Sequence, residues 1–190
     1  MDVRDESPVA SLAAAIEETA LKCAEPLQQR MSFPTDEEQK EKWLEIVWEH
    51  LFLLMHLVNR NASGILDEEA HRRLMRELAP MVVLPLAAEI SEGRPDDARK
   101  QIVREAFEGL NRSEREYADC ERFLSEPVLA GNSLVSVFAR KVNALAGGSM
   151  QPALMAEFVK RTVEAYKSLG LKDRLGVIAG HVRSDEPGPD

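Results

Sequence analysis

The chain holds four histidines, His50, His56, His71 and His181, the residues best suited to proton transfer or metal ligation near neutral pH. Two lie in the segment Trp43–Arg60, WLEIVWEHLFLLMHLVNR. On a helix turning about 100° per residue, His50 falls on the apolar side beside Leu54 and Leu57. His56 instead joins a narrow polar strip with Glu38, Glu41, Glu45, Glu49, Asn59 and Arg60, interrupted by Phe52. A buried histidine acts as a general base or a ligand only with a suitable partner. No carboxylate lies one turn from His50 on its own face. Its partner must come from another helix, or the ring is a core histidine bonded to a carbonyl. His56 has Glu49 and Asn59 as companions. Glu49 is two turns away, about 10 Å along the axis, too far to share one ion. A solvated or interhelical polar seam is the alternative. The candidate binding residues are therefore His50, His56, Glu49, Asn59 and Arg60, and no residue is assigned a catalytic role.

Glu68-Glu-Ala-His71 has the Glu-x-x-His spacing that forms half of a di-iron carboxylate site in some helical bundles. The other half is missing, since none of His50, His56 and His181 follows a glutamate by three. Neighbouring Arg72 and Arg73 suggest a solvated face. No metal and no cofactor are expected. Cys120 shares a helical side with Tyr117, Phe123 and Leu124 and is flanked by acids, which raise a thiol's pKa and suit a packed, unreactive sulfur. Gly147-Gly148-Ser149 precedes a helix and so could meet an anion. No basic residue follows at once, and the segment reads as a turn.

Charge separates along the chain. Residues 1–131 carry a net charge of −11 and residues 132–183 one of +5, and the last seven residues add −3 to reach the overall −9. Arg140, Lys141, Lys160, Arg161 and Lys167 form the candidate basic patch. It serves either an acidic partner or internal balance, the latter suggested by Lys160/Glu164 and Glu164/Lys167 spacings. Tyr166 is the one aromatic interleaved with these cations and the whole is acidic, so nucleic acid is not expected as a partner.

These residues must be positioned by helices. Runs of β-branched residues at period two are almost absent. Ser7-Pro8 opens a helix to about Arg30, with Pro26 ending or kinking it. Thr35-Asp-Glu-Glu38 is a capping box for a helix reaching Asn61. Asp67 caps a third to Glu77 or Leu78, after which Pro80 and Pro85 break the apolar run. Pro95-Asp-Asp97 starts a helix ending near Gly109, and Ser113-Glu-Arg-Glu116 reads as a further capping box. Ser133 caps 134–146, and a last long helix spans 152–169. Residues 171–183 fit either a short helix or an extended arm. The face formed by Leu154, Met155, Phe158, Val159, Thr162, Val163, Tyr166 and Leu169 either closes the core or makes a homodimer seam.

The expected fold is all-α: a single-domain bundle of about six to eight helices around a buried central helix. Residues 1–183 form the domain and 184–190 a disordered acidic tail. The start MDVRDESP lacks the apolar stretch of a secretory signal, and no run approaches the roughly 20 apolar residues of a membrane span, so a cytoplasmic location is expected. Two functions compete. One is a non-enzymatic interaction or regulatory module, with a protein partner or a second copy. The other is a small-molecule binder or enzyme with a pocket lined by the central helix near His50 and His56, using adaptable Met55, Met75, Met81 and Met155.

Overall fold

A computed structural model describes residues 7–28, 30–31, 33–120, 123, 131–148 and 150–184. Among the described residues there are seven helices and no strand. They are α1 (Pro8–Gln28), α2 (Asp36–Ala62), α3 (Glu68–Ile90), α4 (Asp96–Ala118), α5 (Leu134–Leu145), α6 (Pro152–Ser168) and α7 (Leu171–Ser184). No helix among them is long and apolar enough to cross a membrane.

The start signals behave as their chemistry requires. The Thr35 side chain accepts from the Glu38 amide, Asp67 from the Ala70 amide and Ser133 from the Ser136 amide. Asp36, Glu37 and Glu38 lie at the positive end of the α2 dipole. Gly147 and Gly148 take positive φ after α5, and the Gly148 amide bonds back to the Asn143 carbonyl.

α2 is the central helix. Every residue from His50 to Val58 is buried, and α2 packs against α1, α3, α4, α5 and α7. The face of α6 closes the core: Met155, Phe158, Val159, Thr162 and Leu169 are buried in it. Residues 171–184 resolve as helix, with Leu171, Leu175 and Ile178 turned inward. Of the expected tail, Ser184 ends α7, and 185–190 lie outside the described residues.

α1 runs through Pro26 and ends at Gln28, close to the expected end near Arg30. Two expected helix ends are not ends. α3 runs unbroken through Pro80 and Pro85, because Leu74, Leu78, Val82, Val83, Leu86 and Ala87 keep one buried stripe across both. The carbonyls that lose their N–H partners belong to Arg76 and Met81, both exposed residues, so the lost bonds fall on the solvent side of the helix. α4 likewise passes through Gly109 and Ser113. Gly109 is a notch rather than a stop: a Cβ there would sit 2.8 Å from Cζ and 2.9 Å from Cε2 of Phe52. Ser113 is buried mid-helix and accepts from Lys141 Nζ at 3.2 Å, so the second capping box does not form.

Leu54 is 3% exposed at the middle of α2. Leu54→Asp places an unpaired carboxylate in the core and is expected to cost on the order of 4 kcal/mol. A thermal melt within a degree or two of the parent would contradict the central-helix assignment.

Candidate functional site

The polar strip of α2 does not face solvent along its length. Its second half is clamped against α3, α4 and α5. His56 Nδ1–H donates to Glu114 Oε2 at 3.0 Å, and Asn59 Nδ2 donates to the same oxygen at 3.0 Å. Asn59 Oδ1 in turn accepts from His71 Nε2 at 2.7 Å. His56 Nε2 and Glu114 Oε1 are buried without a hydrogen-bond partner. Arg60 Nη1 donates to the Cys120 carbonyl at 2.8 Å and ties the end of α2 to the chain two residues past α4. Glu114, the residue on which His56 and Asn59 converge, had been masked by the capping-box pattern.

One step along the strip, Lys141 of α5 bridges Glu49 at 2.7 Å and Glu116 at 2.8 Å. Its ammonium also lies 5.1 Å from the centroid of the Tyr117 ring. The Tyr117 hydroxyl donates to Glu49 at 3.4 Å, and its ring lies 5.5 Å from that of His56. Tyr117 thus joins the two clusters that the 49-to-56 spacing keeps apart. Burial pushes the Glu49 carboxyl above the usual carboxylate range, with Lys141 opposing it. Burial, followed by the Glu49 and Glu116 charges, raises the Tyr117 phenol well above its ordinary value.

His50 is separate. Its Nδ1–H donates to the Ile46 carbonyl at 2.8 Å, which leaves a lone pair on Nε2, an atom buried without a partner. The ring meets Phe138 and Phe158 edge-on, at 4.9 Å and 5.4 Å between centroids. Burial pushes its pKa down to about 4, only partly offset by the Ile46 bond. At 1% exposure this imidazole is neutral core, the backbone-bonded arrangement left open by the sequence. His71 accepts its place in the Asn59 seam, and among the described residues no group of three or more His, Cys, Asp or Glu could hold a metal ion. Both thiols are free and buried; burial raises Cys23 to about 11 and, with Asp119, raises Cys120.

Most of the candidate basic patch is engaged. Lys141 is in the clamp, Arg161 pairs with Glu157 at 2.8 Å, Lys160 reaches Glu164 at 3.9 Å, and Arg140 donates to the Gly131 carbonyl. Lys167 is exposed and has no ion pair among the described residues.

An open groove of about 980 Å³ runs along the first half of α2. Trp43, Trp48 and Phe52 contribute its aromatic surface, α3 and the following turn contribute Glu89, Ile90, Glu92 and Arg94, and α4 contributes Ile102, Glu105, Gly109 and Arg112. Trp48 stacks on Phe52 at 5.7 Å and 21°, and Phe52 is seated in the Gly109 notch. Seven glutamates line the groove against three cations, Lys40, Arg94 and Arg112. Glu49 lies at this groove, whereas His50, His56, Asn59 and Arg60 do not line it. Trp48, Phe52, Gly109 and Arg112 were missed from sequence. A signal existed: the only two tryptophans stand five residues apart beside the Glu41–Glu45–Glu49 strip.

No protein-family model, curated protein or solved structure matches the chain.

Two measurements check this geometry. Glu49 and Lys141 side chains are 13% and 23% exposed. Lys141→Met leaves Glu49 buried and deprived of its nearest cation, an expected loss of about 3 kcal/mol. Lys141→Met/Glu49→Gln should recover most of it in urea melts, and equal losses in the single and double variants would contradict the pairing. His50 is depressed in the folded state, so the unfolded chain binds its proton first. Stability is full above the unfolded pKa of about 6.5 and falls by up to about 3 kcal/mol as pH drops toward 4. Glu49, shifted upward, runs the opposite way. The His50 contribution is therefore read as the difference between parent and His50→Leu. That difference should move in favour of the variant on acidification; a constant gap would refute a neutral buried imidazole.

Proposed function

We propose that the protein is a non-enzymatic interaction module whose α2–α3–α4 groove holds a basic, amphipathic helical segment of a protein partner. The observation that carries this reading is the groove's composition: an aromatic surface surrounded by excess carboxylate. Apolar side chains of a guest helix pack on Trp43, Trp48 and Phe52, while its cations meet Glu37, Glu41, Glu89 and Glu92. None of these four glutamates has an ion pair among the described residues, in contrast to Glu45, which pairs with Lys42 at 2.9 Å. Charge of one sign on a partly apolar trough speeds and orients association with the opposite sign.

Shape separates a helix from a compact ligand. The α2 wall extends from Glu37 to Phe52, about 22 Å at 1.5 Å per residue. That length fits four turns of a guest helix laid along the groove. The volume is near the upper end of small-ligand pockets, roughly 300–1,000 Å³, but such pockets enclose their ligands. The titratable clusters favour binding over catalysis: His50 is sealed, His56 is bonded to Glu114, and Glu49 to Lys141.

The test uses a designed peptide of about 16 residues, roughly 24 Å as a helix, with leucines on one face and cations on the other. Both tryptophans line the groove, so intrinsic fluorescence reports its occupancy directly. Micromolar binding is expected, weakened about tenfold or more by Glu41→Lys/Glu92→Lys and by added salt. Binding indifferent to that charge reversal, or no binding, would overturn the reading.

A further inference from the structure

Arg112 occupies a distinctive place in the groove. It follows Gly109 by three residues on α4, so it rises over the same notch. Its Nη2 comes within 3.9 Å of the point where a Gly109 Cβ would sit, the point that Phe52 Cζ and Cε2 crowd at 2.8 Å and 2.9 Å. One guanidinium nitrogen and the end of the Phe52 ring therefore both approach this one point beside α4. Phe52 is backed by the stacked Trp48 ring, which fixes the plane of the aromatic surface. Arg112 is also near enough to Glu49 to oppose the upward shift of that carboxyl.

Its attachments are few. Arg112 is exposed and makes no hydrogen bond or ion pair among the described residues. The Glu49 carboxylate nearby is held by Lys141 and Tyr117 instead. Arg112 thus places a planar cation near the end of the Phe52 ring and among acidic walls, attracted by Glu49 but with no hydrogen bond or ion pair among the described residues that must break for it to leave.

We propose that the groove selects arginine over lysine in its guest, and that Arg112 is the chain's own occupant of the guanidinium subsite, displaced when a guest binds. The inference rests on the groove being a binding site for a basic segment. A guanidinium is flat, weakly hydrated and forked, so it lies on an aromatic face and still offers N–H groups to carboxylates. An ammonium is compact and strongly hydrated and gains less from the same surface. A site that already accommodates an internal guanidinium has the shape for an external one, and the internal one competes with it.

Two versions of the same designed peptide, one with arginines and one with lysines, are titrated by tryptophan fluorescence into the full chain and into Arg112→Gln. The arginine peptide should bind the parent about tenfold tighter than the lysine peptide. Arg112→Gln should tighten the arginine peptide several-fold and the lysine peptide less, with Arg112→Lys in between. Circular dichroism melts of the variants verify that the fold is retained. Equal affinities for the two peptides would overturn arginine selectivity while leaving the groove reading intact. Weaker arginine-peptide binding by Arg112→Gln would overturn the resident-occupant role. Absence of binding by either peptide would overturn this inference together with the groove reading.

Discussion

Burial of a helix that carries a polar strip is the constraint on which the rest of this structure depends. α2 is apolar on most of its circumference and packs against five other helices, so His56 is buried and Glu49 and Asn59 are half-buried with it. Charged and polar groups removed from water cost several kcal/mol each unless they find partners. The neighbouring helices supply them: Glu114 and Tyr117 from α4, His71 from α3, Lys141 from α5. The placement of α4 follows. Its Gly109 admits Phe52 at close range, and the turn beyond presents Ser113, Glu114 and Glu116 to the strip.

The same helix behaves differently at its beginning. There α3 and α4 stand away from it, and Trp43, Trp48 and the glutamates between them line an open trough. One helix therefore holds the core with Ile46, Val47 and residues 50–58 and lines the groove with Glu37, Glu41, Trp43, Glu45 and Trp48. The Trp48–Phe52 stack couples the two halves, since Phe52 is buried at 5% exposure and Trp48 is half-buried. Under the proposed function, a guest settling on Trp48 would rest on a surface already fixed by the core, which would lower the ordering cost of binding.

Much of the architecture was readable in the residues. The caps at Thr35, Asp67 and Ser133 are local signals, and each bonds within three residues of itself. The all-helical class and the burial of α2 follow from periodicity alone. Pro80, Pro85, Gly109 and Ser113 misled because their local preferences oppose a tertiary demand. A continuous buried stripe outweighs two missing backbone bonds in α3, and a close helix approach requires the glycine in α4. The partners across helices could not be read, because which strip meets which is decided by packing. Glu114 is 58 residues from His56, and Lys141 is 92 from Glu49. On α2 alone Glu49 is a companion of His56 on the same strip but two turns away; in the fold each is bonded elsewhere and Tyr117 stands between them.

Hydrogen exchange of the full chain, with and without the arginine peptide, addresses the division of α2 most directly. Without peptide, amides of residues 50–58 should exchange only through global unfolding, because every one of those residues is buried. With peptide, added protection should fall on the groove walls, residues 37–49, 89–94 and 102–112. Protection gained at α6 and α7 with none along the groove, or fast exchange of residues 50–58 in the free chain, would contradict the account.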